Sequence, residues 1–137
     1  MNLSTKLLTI VATLVVPATL FAADGDPDIA PEKRLQSATA KIEEKSDVVA
    51  VYVKGLVCSS CSIGVKVQLR KLEGVDKSKL EKGVKLDVKT QLVTIALKKG
   101  ATLNQEQIVK AVSKAGYEAE SIFKWNGKKV ETIKFVK

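Results

Sequence analysis

The sequence predicts an α+β fold: a ferredoxin-like βαββαβ sandwich, with an antiparallel sheet and two helices on one face, plus an extra C-terminal β-strand. Three observations carry this. β-branched runs of strand length alternate with two stretches whose apolar residues recur at helical spacing. Both helical stretches stop at a glycine, Gly74 and Gly116. Asn126-Gly127, the strongest short hairpin signal, sits between two strand-like runs near the end. With 137 residues, 45% of them apolar and 4% aromatic, the chain has material for one small core and not for two ordinary domains.

Residues 1–23 read as a signal peptide. Lys6 supplies a positive start, an apolar run from Leu7 to Phe21 follows, and Ala22 and Ala23 offer a small-residue cleavage site. The run is shorter than a spanning helix needs and contains Pro17, and no second run of membrane length follows. The expectation is therefore a periplasmic or otherwise exported protein with no stable membrane insertion after cleavage. Losing Lys6 takes the formal charge from +8 to +7. Nucleic acid is a poor partner for an exported chain, so the interspersed lysines read as a solvated surface. Residues 24–46, with Pro27, Pro31 and many charges, suit a linker in which Pro31 opens a short helix bearing Leu35, Ala38 and Ile42 on one side.

The folded domain is expected over residues 47–121. VVAVYV from Val48 is a strand running into Lys54-Gly55. A helix over 59–72 carries Val65, Leu69 and Leu72 inward and places the cysteines at its start. Val84, Leu86 and Val88, then Val93, Ile95 and Leu97, alternate with polar or small residues as an antiparallel pair. Asn104 caps a second helix, Gln107 reaches back, Leu103 staples against Ile108, and Ile108, Val112 and Ala115 form the buried side. Tyr117 to Trp125 is a further strand. Residues 122–137 make a C-terminal hairpin extension whose last strand, Lys129 to Phe135, is expected to cover an open sheet edge.

Chemistry concentrates in Cys58 and Cys61, the two cysteines of a chain with no histidine. The secreted-domain framework of several disulfides is absent. A C-x-x-C pair at a helix start aims two thiolates at one small ion, and the unpaired amides there favour the thiolate. Zinc ordinarily takes four Cys, His or carboxylate ligands, so a closed zinc site within one chain is disfavoured, and cadmium with it. Soft ions that accept two thiolates, Cu(I) and Hg(II), fit this donor set. A c-type haem needs C-x-x-C-H, and Ser62 follows Cys61. A thioredoxin-like redox pair shares the strand-to-helix junction, but the prolines all precede the first strand, leaving none to face the pair from a later loop. A plain disulfide remains open; closing so short a loop stabilises little.

Gly55 to Cys61, GLVCSSC, resembles the G-M-T-C-x-x-C signature of the heavy-metal-associated domain family, which includes copper chaperones and periplasmic mercury-binding proteins. The resemblance extends over about 47–121, through Val65, Leu69, Gly74-Val75 and Ala115-Gly116-Tyr117. It implies Cys58 and Cys61 as metal ligands, with Gly55, Leu56, Val57 and Tyr117 supporting them. Leu56 stands for the signature methionine, a swap of similar volume, and Val57 for its threonine, which removes a polar contact. The connection from Val75 to Val84 (VDKSKLEKGV) is longer than the family pattern, and the terminal strand is additional.

The expected function is an exported metallochaperone or scavenger, not an enzyme. It binds Cu(I) or Hg(II) between the thiolates and passes it by thiolate exchange to a membrane metal transporter or other metal-accepting protein. The chain is expected to act as a monomer, or as a dimer bridged by the metal. A thiol-disulfide or redox-sensing protein using the same pair is the alternative, and a partner-binding module with a degenerate metal site is a third reading. Ile63, Gly64 and Val67, away from Val65 and Leu69, read either as a docking patch with Val57 or as ordinary exposed apolar residues.

Overall fold

Within residues 29–136, which the computed structural model describes, the order is α1 (Pro31–Ile42), β1 (Val48–Lys54), α2 (Ile63–Leu69), β2 (Val84–Asp87), β3 (Leu92–Ala96), α3 (Gln105–Lys114), β4 (Glu118–Trp125) and β5 (Val130–Lys134). The expected signal peptide and the first residues of the 24–46 segment lie outside the described residues. The strands form one sheet in the order β2-β3-β1-β4-β5, with every neighbouring pair antiparallel. This is the ferredoxin-like arrangement with a fifth strand added. β5 pairs with β4 from Ser121↔Lys134 to Trp125↔Val130 and so covers its edge. In the hairpin, Asn126 Oδ1 accepts from the Lys128 and Lys129 amides at 3.1 and 3.0 Å, and Gly127 takes the left-handed φ of +92° that the turn requires.

α2 and α3 cover one face. Val49, Val51 and Val53 of β1 point into a core with Val65 and Leu69 of α2, Ile108 and Val112 of α3, and Val93 and Ile95 of β3. Asn104 caps α3, its side chain accepting from the Glu106 amide at 2.8 Å. α2 is shorter than the sequence pattern suggests. Residues 59–62 form turns and the helix runs only from Ile63 to Leu69. Leu72, expected on its buried side, packs on the core from beyond the helix end.

Two helices lie on one face as expected, and the short helix expected from Pro31 is present as α1, twelve residues long, but it lies on the opposite face of the sheet and not in a free linker. Ala38 and Ile42 are wholly buried, but Leu35 is 40% exposed and Arg34, at 7%, takes the inward position. The buried stripe is thus Arg34, Ala38 and Ile42, four residues apart. It closes over Val48, Ala50, Leu92 and Phe123, which explains why all five residues of β3 are buried where one open face would leave alternate ones exposed.

Arg34 is accommodated because its polar atoms are used. Its Nε donates to the Thr90 carbonyl at 3.1 Å and its Nη2 to the Ile29 carbonyl at 3.3 Å, and the guanidinium lies 3.6 Å from the centre of the Tyr52 ring. Lys41 pairs with Asp87 at 2.8 Å. Burial pushes the Asp87 carboxyl up, but hydrogen bonds from Lys41 and Thr90 outweigh it and hold the group below its usual range. If α1 is integral to the fold, Ile42→Ala loses about 2–5 kcal/mol of unfolding free energy, the cost of truncating a packed core residue. Urea denaturation checks this; a loss within about 0.5 kcal/mol, as for an exposed position, shows α1 to be dispensable.

Candidate metal centre

β1 ends at Lys54, and Gly55, with a φ of +80°, turns the chain out of the sheet. Leu56 then plugs the core with no exposure, and Val57 is half-buried. The anchored leucine fixes where the next residues emerge. Cys58 is half-buried, Ser59, Ser60 and Cys61 are exposed, and both cysteines are free thiols. Ser62, fully buried, ties the loop shut: its Oγ donates to the Cys58 carbonyl at 2.7 Å and the Ser59 carbonyl at 3.0 Å, and its amide donates to the Cys58 carbonyl at 3.1 Å. α3 ends beside this loop, with Gly116 at φ +83° and Tyr117 after it.

The sulfurs are electrostatically unequal. The Cys61 amide donates to Cys58 Sγ at 3.4 Å, and Ser60 Oγ lies 3.2 Å from the same sulfur. Hydrogen bonds from the Cys61 thiol, from Ser60 and from the Cys61 amide bring the Cys58 thiol down to about 7. The Cys61 thiol is raised because its proton serves the Cys58 sulfur. The pair therefore gives up its first proton around pH 7 and keeps its second to higher pH. The thiolate was expected to owe its stability to a helix start, but α2 begins two residues beyond Cys61 and has only seven residues. The stabilisation comes instead from the loop's own donors. Tyr117 is raised above its usual range, mainly by burial and further by the charges of Cys61 and Cys58, so it remains a neutral phenol within electrostatic reach of the thiols.

The structure thus gathers Gly55, Leu56, Val57, Cys58, Cys61 and Tyr117 at one end of the sheet. Ile63 and Val67 are 55% and 42% exposed, and Gly64 is exposed too, at the edge of the α2–α3 contact where a Cβ would lie 3.5 Å from that of Ala115. Ser60 and Ser62 escaped the sequence reading. Their signal was the run CSSCS, since short hydroxyl side chains bond to nearby backbone and turn it. No group of three or more Cys, His, Asp or Glu side chains able to hold a metal occurs among the described residues.

Residues 50–118 match the heavy-metal-associated domain. The chain belongs to that family. As a heavy-metal-associated domain protein it is 34% identical over 83 residues to the mercuric transport protein periplasmic component of Salmonella typhi and of Enterobacter cloacae, covering 61% of this chain and 84% of each relative. It is 29% identical over 90 residues to a copper-exporting P-type ATPase of Vibrio cholerae, of whose length it spans only 9%. An NMR structure of a heavy metal binding protein from Thermotoga maritima superposes with a TM-score of 0.41 at 22% identity, covering 57% of this chain and 98% of that one.

Thiol alkylation tests the unequal pair. One thiol should react with an inflection near pH 7, its rate levelling off above and falling about tenfold per pH unit below, where the thiolate is protonated. The second should react only at pH above the ordinary thiol range. Ser60→Ala removes a donor to the thiolate and should move the first inflection to higher pH.

Proposed function

We propose that this heavy-metal-associated domain protein is an exported, non-enzymatic carrier that binds one soft ion, Cu(I) or Hg(II), between Cys58 and Cys61. It then passes the ion to a membrane metal transporter or another metal-accepting protein. The observation that carries the reading is a pair of free thiols on one closed loop, Cys61 exposed and Cys58 half-buried, with the Cys61 amide donating to Cys58 Sγ at 3.4 Å. Cys58 offers a thiolate to the incoming ion, and Cys61 closes the site by releasing its proton to solvent. Two thiolates satisfy a soft ion of low coordination number and leave zinc or cadmium short of ligands. The mercuric and copper relatives support soft-metal cargo, and the periplasmic ones support export, for which the apolar run within 1–23 would serve as the leader.

Handover follows from exposure. A partner thiolate attacks the bound ion, forming one metal–sulfur bond as the bond to exposed Cys61 breaks. A second partner thiolate then replaces Cys58, so the ion moves with no change of oxidation state. The half-buried Cys58 and the anchored Leu56 keep the site in place while Cys61 swings. The alternative, a thiol-disulfide function, draws on the same lowered thiol, and a reduction-potential measurement separates the two.

Anaerobic titration of the reduced chain from Asp24 onward, against a competing chelator, tests the carrier reading. One equivalent of Cu(I) or Hg(II) should bind. Cys58→Ser and Cys61→Ser should each weaken binding by more than about 100-fold, since removing a ligand exceeds the 10–100-fold effect of outer-shell partners. Equal affinity in the variants would end the metal-site assignment.

A further inference from the structure

The end of the sheet remote from the cysteines is built by the connections 70–83 and 97–104. They are laced together by the Lys98 amide donating to the Gly74 carbonyl at 2.9 Å, the Asp76 amide donating to the Ala96 carbonyl at 2.9 Å, and the bridge Val75↔Leu97. Lys71, Lys77 and Lys98, with Glu73 as the one acidic neighbour, line a single surface hollow of about 500 Å³ there. Lys82 and Lys99 are exposed on the same two connections. None of these five lysines enters an ion pair among the described residues, whereas Lys66 and Lys79 on the same side do.

At the tip stands Leu80, 45% exposed with a φ of +51°, and Lys82 follows at +56°. The left-handed region costs a bulky residue of this kind strain that a simple connector would avoid with Gly or Asn. The loop is nevertheless pinned. Lys79 pairs with Asp47, Glu81 takes Lys66, and the Gly83 amide donates to the Lys79 carbonyl at 2.7 Å. Gly83 itself has no room for a side chain, since a Cβ would meet Val75 Cγ1 at 2.4 Å. Leu80 is therefore held outward, within the stretch already distinguished by its extra length.

We propose that this end is a docking surface for an anionic lipid bilayer, with Leu80 entering the interface and Lys71, Lys77, Lys82, Lys98 and Lys99 meeting the headgroup phosphates. Protein interfaces favour Arg and aromatic anchors and are depleted in Lys. The connections 70–83 and 97–104 carry six lysines and Arg70 against Glu73, Asp76 and Glu81, with no aromatic residue and with Leu80 as the exposed apolar residue, a net positive, lysine-dominated surface that suits a diffuse anionic plane. β1, seven residues long, spans about 23 Å at about 3.3 Å per residue. That exceeds the Debye length of about 8 Å at physiological salt, so the thiol loop faces away from the bilayer and outside its field. The surface stands apart from the metal site, and its test uses metal-free protein.

Co-sedimentation of the chain from Asp24, which retains every described element, with phosphatidylglycerol vesicles or pure phosphatidylcholine vesicles decides the matter. Binding should require phosphatidylglycerol and weaken as salt rises. A lysine near an anionic surface strengthens binding about five-fold, so Lys77→Glu with Lys98→Glu should weaken it by at least about 25-fold. Leu80→Ser should weaken it while preserving the salt dependence, and Lys33→Glu on α1 should leave it nearly unchanged. Thermal unfolding verifies that each variant is folded. Absence of binding, equal binding to both vesicles, or a Lys33→Glu loss as large as the double reversal overturns the proposal. Retention on soluble polyaspartate without vesicle binding also overturns it, in favour of an acidic protein.

Discussion

A strand buried on both faces must be covered twice, and β1 imposes that constraint on the whole molecule. Val49, Val51 and Val53 point one way and Val48 and Ala50 the other, and all are buried. α2 and α3 satisfy the first set, and α1 the second. Removing about 25 cal/mol per Å² of apolar surface from water on each face is what holds a sheet with only six aromatic residues in the chain. The end of β1 inherits this rigidity. Gly55 releases the chain from a strand that cannot shift, Leu56 plugs straight back into the core, and the cysteines follow within two and five residues of that plug.

The thiol loop works by local means. Ser62 gives its hydroxyl to two carbonyls, Ser60 and the Cys61 amide face the Cys58 sulfur, and a hydrogen bond from the Cys61 thiol lowers the Cys58 thiol further. Such a loop needs no third ligand and no buried counter-charge to hold a thiolate near neutral pH. In the proposed function a soft ion would take the place of the proton in that hydrogen bond, and the exposure of Cys61 that admits the ion would also admit an exchanging thiol, with the core behind Leu56 as the fixed reference.

The thiol pair and the lysine-rich connections lie at opposite ends of the sheet: Cys58 and Cys61 follow the end of β1, and Lys71, Lys77, Lys82, Lys98 and Lys99 lie on the connections 70–83 and 97–104. Separation by the length of a strand keeps one from perturbing the other under physiological screening. α1 adds an unusual interior cation to this arrangement: Arg34 is buried against Tyr52 because two carbonyls and an aromatic face replace the water it gives up.

Much of the molecule was legible from local pattern. Period-two and period-3.6 spacing located the strands and both helices of the inner face, Asn126-Gly127 located the hairpin, and C-x-x-C after Gly55 located the thiols, because each signal depends on residues near one another in the chain. What depends on distant partners was not. Arg34 reads as a surface residue until Tyr52 and the Thr90 carbonyl arrive from the sheet. α1 reads as part of a linker until Ala50, Leu92 and Phe123 supply the face it covers. The start of α2 and the source of the Cys58 thiolate turned on two serine hydroxyls whose bonds exist only once the loop is closed. The sequence by itself determined the elements, the inner core and the identity of the paired thiols. Only the tertiary structure decided that the sheet is covered on both faces and that the loop, not a helix end, stabilises the charge, since burial and hydrogen bonding are properties of neighbours brought together by the fold.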